Sequence, residues 1–323
     1  MRALVTGIAG FVGGHLAALL RDSGFEVCGI DRLPVAAEMA GDGVDTKIGD
    51  VCDRAFMTRT VREFQPSHVF HLAWTFNSGG KGSPGSTDSD VVAATALLEA
   101  VRQVARTSWI LLASSSAVYG SPERLPIDED SALKPTTAYG VSKVLMEQTA
   151  AAFHHEHGMN AIVTRTFNLI GPGVPQRLLP GSLAAQVVAA ERGGSRTIRV
   201  GRLDSSRDYL DVRDAVRAYI ALAMRSTVGP RVFNVCAGVA RSCRELVDEF
   251  IAAARVPVEL VHDTTRMQVG DIDCQRGRAA RLDQATGWMP AIPFSTSVRE
   301  MLELERAAAR RRGVLAKPTA ATN

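Results

Sequence analysis

Short apolar runs alternate along this chain with longer stretches whose apolar residues recur at helical spacing, and that rhythm gives the first expectation of its fold. Leu4-Val5 running into Thr6-Gly7, the stretch 11–22, and the run 25–30 read as strand, turn, helix and strand. Further strands are predicted at 67–71, 108–113, 161–166 and 231–235, with amphipathic helices at 90–106 and 141–157. Strands alternating with helices imply a parallel sheet covered by helices on both faces. Residues 78–86, rich in Gly and Ser, break the rhythm and are expected to form a surface loop that acts as a lid. After Asn168 the order loosens into a turn cluster at 171–175, a helix at 183–191, a strand at 197–200 and a helix at 242–254. From about Arg306 onward, with Arg310-Arg311-Arg312 and Lys317-Pro318, a frayed basic tail is expected, an anion-binding arm being the alternative.

The first strand-to-helix turn carries candidate chemistry. Gly7-Ile8-Ala9-Gly10-Phe11-Val12-Gly13 spaces three glycines so that the backbone turns tightly and a pyrophosphate meets main-chain N–H groups at the positive end of a helix. Asp31 ends the second strand some twenty residues later, where a carboxylate accepts from adenosine ribose hydroxyls and favours NAD. The neighbouring Arg32 could pair with a ribose phosphate and so make NADP tolerable. Asp50 and Val51, with Leu72 and Ala73, end the next strands and are expected to line the adenine and ribose pocket. The fold class is therefore α/β, a Rossmann-type doubly wound parallel sheet with a smaller C-terminal substrate-binding lobe. The dinucleotide domain is assigned to residues 1–165 plus a returning segment near 205–236, the substrate lobe to 166–204 and 237–305, and the tail to 306–323.

The sharpest signal is Tyr139-Gly140-Val141-Ser142-Lys143, preceded by Ser114-Ser115-Ser116 at the end of a strand. A phenol and an ammonium four residues apart share one helical face, so Lys143 can ease loss of the Tyr139 proton while holding the nicotinamide ribose. A hydroxyl from the serine run would hydrogen-bond the same substrate oxygen that Tyr139 protonates or deprotonates. Ser114, Thr166, Tyr139 and Lys143 are assigned to cofactor binding. Trp74 and Ser116 are assigned to the substrate.

Composition narrows the classes. Of 323 residues 46% are apolar and 22% charged, an ordinary globular balance, and the net charge of +3 gives no basic face for nucleic acid. No apolar run reaches membrane-spanning length, so no membrane is expected. The five cysteines, Cys28, Cys52, Cys236, Cys243 and Cys274, form no C-x-x-C pair and read as free thiols of a reducing, cytoplasmic compartment. The sequence His154-His155-Glu156-His157 reads as a solvated helix end rather than a metal site, and His15 and His71 as packing residues.

Taken in order, the glycine turn, the acidic strand end, His71-Leu72-Ala73, the serine run with Tyr119-Gly120, the Tyr139/Lys143 pair and Arg165-Thr166-Phe167-Asn168 before Gly171-Pro172-Gly173 resemble the extended short-chain dehydrogenase/reductase family over nearly the whole chain. The resemblance implies a catalytic Ser, Tyr and Lys, here Ser115, Tyr139 and Lys143, with Ser114 or Ser116 as the serine if the register shifts. The second half is similar to nucleotide-sugar epimerases, dehydratases and 4-keto-reductases. The stretches 200–202, 206–214 and 233–238 especially resemble GDP-linked 4-keto-6-deoxymannose reductases. That likeness implies a nucleotide-diphosphate sugar as substrate, contacts to it from Asn168 and Arg207 with Arg266 and Arg276 as weaker candidates for the diphosphate, and a homodimer built on helices 90–106 and 141–157, whose apolar stripes could equally be intramolecular core. Asp211 and Asp214 read as helix caps. Where dehydratases carry an acid two places after the catalytic Ser/Thr, this chain has Ala117, so dehydration would need an acid from elsewhere, such as Glu123. The resulting expectation is an NAD-dependent nucleotide-sugar epimerase, with an NAD(P)H-dependent ketoreductase as the alternative and an inactive NAD-sensing or RNA-binding relative as the remote one.

Overall fold

Alternate residues of strand β1 (Arg2–Thr6) face opposite sides of a sheet, and the apolar ones sort accordingly: Ala3 and Val5 enter one buried cluster, Leu4 the other. The same division holds in β5 (Trp109–Ser115), where Trp109 and Leu111 oppose Ile110 and Leu112. Strands buried on both faces read as continuous apolar runs, which is why the sequence exposes them so clearly. The computed structural model describes residues 1–34, 43–74, 86–225, 231–266 and 272–315, without the side chains of 86–88, 266 and 313–315. The segment 78–85 of the expected lid lies outside the described residues, and Ser86 begins a helix.

Seven strands form the large sheet in the order β10-β6-β5-β4-β1-β2-β3, with every neighbouring pair parallel. The remaining members are β2 (Glu26–Asp31), β3 (Asp45–Ile48), β4 (His68–His71), β6 (Asn160–Thr166) and β10 (Val232–Val235). One face is covered by α1 (Phe11–Asp22), whose Leu16 and Leu20 pack with Tyr219 and Leu222 of a later helix, α6 (Val212–Ala223). The other face carries α2 (Arg54–Phe64), α3 (Ser86–Val104) and α4 (Ala138–His157) through Met57, Leu97, Val101 and Met146. This is the doubly wound Rossmann-like sheet expected from the sequence. Its winding reverses between β1 and β4, and a crevice opens there beyond the C-terminal strand ends.

A second core gathers Leu183 and Val187 of α5 (Leu179–Glu191), Phe250 of α7 (Cys243–Ala252) and Leu302 of α9 (Phe294–Leu315). Around it lie the three-stranded sheet β11-β9-β7 (Ala240–Ser242, Ser206–Asp211, Asn168–Ile170) and the pair β12-β8 (Glu259–His262, Thr197–Val200). The returning segment expected over 205–236 thus divides: β9 joins the small sheet, whereas α6 and β10 serve the large one. The tail expected from Arg306 is instead helical to Leu315. Arg306 is 7% exposed and its guanidinium bonds both oxygens of Glu191, at 2.5 and 2.8 Å, while Ala309 enters the second core. Arg306 is thus docked through a carboxylate 115 residues away, whereas Arg310, Arg311 and Arg312 on the same helix are exposed.

Candidate active site

Gly7 has φ +74°, and a Cβ there would lie 2.8 Å from the Ala73 backbone, so β1 and the end of β4 meet only because this residue has no side chain. Leu72 N donates to Thr6 O at 3.2 Å and Ala73 N to Thr6 Oγ1 at 3.2 Å, closing the same seam. The first turn of α1 follows, with Gly10 at its N-cap and neither a side-chain cap nor an acidic residue against its N–H groups. Ile8 is fully buried in the sheet core, so only its main chain can face a ligand; Phe11 packs on the substrate-lobe core and edge-on to His15. A cavity of about 70 Å³ opens beside the turn, lined by Gly7, Asp31, Arg32, Asp50, Val51, Ala73 and Trp74 among others. Glycines that admit a pyrophosphate, an open helix end and this cavity fit a dinucleotide.

Asp31 is more committed than its place in the sequence implied. Its Oδ2 accepts Ala9 N at 3.0 Å and its Oδ1 accepts Leu33 N at 3.1 Å, so the carboxylate first ties the glycine turn to β2. Arg32, exposed on the same cavity wall, has no side-chain hydrogen bond or ion pair among the described residues.

Tyr139 sits in the first turn of α4, whose N-cap Thr137 accepts Gly140 N at 3.1 Å. A Cβ at Gly140 would stand 2.6 Å from Ala117 O, so glycine lets the helix press against the turn that follows Ser115. The half-buried Tyr139 ring packs edge-on to Trp74 at 4.8 Å between centroids, and the Lys143 ammonium lies 5.7 Å from the ring centre. Phenol, ammonium and cavity wall therefore converge. Lys143 is 3% exposed; its Nζ stands 3.5 Å from Asp90 Oδ2, which also accepts Ser142 Oγ at 3.0 Å. The sequence reading did not single out Asp90 as the partner of Lys143, although it is an acid placed directly before the apolar run Val91 to Ala94. Beneath the pair, His71 bonds Thr6 Oγ1 at 2.8 Å; full burial, then the Lys143 charge, push its pKa down to about 3 and keep it neutral.

The three serines separate by partner. Ser114 Oγ donates to buried Glu147 at 2.5 Å, itself paired with Arg165, and Ser116 Oγ donates to Gln275 at 3.2 Å. Neither hydroxyl faces outward as its assignment to cofactor or substrate requires. Ser115 is half-buried and its Oγ accepts Ala117 N at 3.2 Å, leaving its proton without an acceptor among the described residues. Thr166, assigned to the cofactor, shares its hydroxyl with buried Tyr219 at 2.7 Å.

Asn168 and Arg207 line a cleft of about 600 Å³ in the second lobe with Arg177, Arg199 and Arg202, cations that the sequence reading did not single out. The Arg207 Nη1 donates to Ile272 O at 2.6 Å, so it is aimed from within the lobe. The Arg266 side chain lies outside the described residues, and Arg276 is not part of the cleft lining. Asp211 caps α6 by accepting Arg213 N at 2.8 Å, as expected, but Asp214 accepts Ala291 N and Ile292 N instead. Glu123 is exposed and ion-paired to Lys134, whose hydrogen bond holds its carboxyl below the usual range; it is a poor proton donor and lies outside the dinucleotide cavity.

A family model described as GDP-mannose 4,6 dehydratase matches residues 4–301. The GDP-6-deoxy-D-mannose reductase of Pseudomonas aeruginosa is 33% identical over 306 residues, covering 93% of this chain and 96% of that protein. Among solved structures, RMD from Pseudomonas aeruginosa complexed with NADPH superposes with a TM-score of 0.83 at 30% identity, over 95% of this chain and 99% of that one. The UDP-glucose 4-epimerase of Thermus thermophilus in complex with NAD gives 0.84 at 29% identity, over 95% of this chain and 100% of the other.

Proposed function

The chain belongs to the GDP-mannose 4,6 dehydratase family, and from that premise we propose that it is an NAD(P)H-dependent reductase of a nucleoside-diphosphate 4-keto-6-deoxy sugar. The observation that carries this reading is Tyr139, whose ring is in contact with Trp74 at the dinucleotide cavity and lies 5.7 Å from the buried ammonium of Lys143. The glycine turn would hold a reduced dinucleotide, which when bound would supply the hydride for the ring carbonyl carbon and be oxidised in doing so. Tyr139 would give its phenolic proton to the carbonyl oxygen, which together with the hydride turns the ketone into a secondary alcohol. Ser115 donates its free hydroxyl proton to that same oxygen, and Lys143 stabilises the phenolate left behind. Gly7, Gly10 and Gly13 take the pyrophosphate, Asp31 the adenosine side, and Asn168 with Arg207 the sugar diphosphate.

Three features favour reduction over the other chemistries of the group. With methyl at Ala117 and Glu123 tied to Lys134, neither position offers an acid to expel a hydroxyl, which argues against dehydration. Arg32 at the cavity wall suits a ribose phosphate, and NADPH is the dinucleotide in the Pseudomonas aeruginosa RMD structure. The likeness to a GDP-sugar reductase extends over 93% of the chain. The epimerase reading rests on Asp31, which lines the same cavity and favours retained NAD.

We further propose a homodimer through α3 and α4, whose Val92, Val141 and Leu145 are exposed, and a cytoplasmic site of action consistent with five free thiols. No helix among the described residues is long and apolar enough to cross a membrane. The test is a panel of GDP-, UDP- and dTDP-sugars with NADH or NADPH. Stoichiometric loss of NADPH on GDP-4-keto-6-deoxymannose supports the reductase; product from a UDP-hexose without cofactor loss establishes the epimerase instead.

A further inference from the structure

One short segment touches both the cation-lined cleft and the catalytic turn. At its start, Ile272 O accepts Arg207 Nη1 at 2.6 Å and Asp273 Oδ1 accepts Arg202 Nη2 at 2.7 Å, and both arginines line the cleft. Two residues on, Gln275 N donates to Ser206 O at 3.0 Å and so continues the alignment with β9. Its side chain, 3% exposed, turns the other way. The amide Nε2 donates to Gly120 O at 3.1 Å and to Ser116 O at 3.4 Å, while Oε1 accepts Ser116 Oγ at 3.2 Å. These carbonyls stand at the two ends of the single helical turn Ser116–Tyr119, which begins at the residue after Ser115.

The anchor is firm. Ile127 N donates to Arg276 O at 2.7 Å, Arg278 N to Ile127 O at 2.8 Å, and Gly277 N to the buried Asp208 carboxylate at 3.1 Å. Only a side chain with two donors and an acceptor on one planar fork meets both carbonyls and the hydroxyl together. Ser115 Oγ is fixed by Ala117 N, inside the clamped turn, so the direction of the Ser115 O–H follows from where the turn is held.

We infer that Gln275 is a positioning residue for Ser115: from the segment that holds Arg202 and Arg207, its amide clamps the turn that aims the Ser115 hydroxyl at the substrate oxygen. The inference deepens the reductase reading and rests on the role given there to Ser115. It ties the diphosphate end of the substrate to the reacting end, since the chain that orients the cleft arginines also sets the hydroxyl.

A double-mutant cycle tests it, with NADPH and GDP-4-keto-6-deoxymannose followed by nicotinamide absorbance. Gln275→Met keeps the volume and removes the fork; kcat is expected to fall about tenfold or more, with dinucleotide affinity within about twofold. In a Ser115→Ala background the same change is expected to alter kcat by less than about twofold, because there is no hydroxyl left to aim. Equal losses in both backgrounds, or no loss in either, would overturn the inference. Should Ser115→Ala alone leave kcat unchanged, the role of Ser115 falls and the inference with it, a result read from the single variant and distinct from failure of the cycle. If Gln275→Met does not fold, Ser116→Ala removes one bond of the clamp. A loss of about threefold that vanishes in the Ser115→Ala background supports the inference, and a loss that persists there refutes it.

Discussion

The ammonium of Lys143 and the carboxylate of Asp90 form an ion pair at 3.5 Å in which neither side chain is more than 4% exposed. Asp90 belongs to α3 and Lys143 to α4, so the ammonium beside Tyr139 takes its counter-charge from the neighbouring helix. A buried ammonium without a counter-charge is costly, and Asp90 supplies that charge where the side chain lies. Asp90→Asn preserves size and the bond from Ser142 but strands the cation. Breaking such a pair costs on the order of 3 kcal/mol of stability. We expect a lower unfolding midpoint in calorimetry and at least a tenfold fall in kcat, about 1.4 kcal/mol in the barrier. Wild-type kcat in this variant would remove Asp90 from the mechanism.

Tyr139→Phe deletes one oxygen while leaving the ring against Trp74. Loss of a positioned general acid lowers kcat by roughly 100-fold or more. Dinucleotide affinity, set at the glycine turn, should change by less than about threefold, as equilibrium titration would report. A variant that turns over at the wild-type rate contradicts the role of the phenol.

Arg32→Ser bears on cofactor choice. With both Asp31 oxygens already accepting main-chain N–H groups, the guanidinium is the group on this wall suited to a ribose phosphate. NADPH affinity should weaken about tenfold while NADH affinity stays level, consistent with loss of a charge-assisted contact. Equal weakening of both dinucleotides would place Arg32 outside phosphate recognition.

His71 gives a signed pH dependence. Burial first, then Lys143, lower its folded pKa from 6.5 to about 3. The unfolded chain therefore binds a proton that the folded chain refuses between those values, and the folded state loses about 1.4 kcal/mol per pH unit as pH falls through that window. Above pH 6.5 the imidazole is neutral in both states and the slope vanishes. Urea unfolding of His71→Gln, which can still reach Thr6, should show a shallower acid decline than the wild type. Parallel declines would exclude His71 as its source.

What the sequence determined by itself is what local pattern can encode. Glycine spacing after a strand marked the dinucleotide turn, continuous apolar runs marked the parallel strands, and a four-residue step placed Tyr139 and Lys143 on one helical face. Each depends on neighbours within a turn or two of the chain, where period and chemistry are visible together. Tertiary structure decided every question of partner. Three adjacent serines look alike until Glu147 claims Ser114 across 33 residues and Gln275 claims Ser116 across 159, which leaves Ser115 free. Asp31 lines the cavity beside the glycine turn, yet its oxygens are first drawn to Ala9 and Leu33, and the stretch from Arg306 is a helix that Arg306 docks through Glu191. The physical reason is common to all: hydrogen bonds and ion pairs form between groups that folding brings within about 3 Å, and separation along the chain carries no record of that distance.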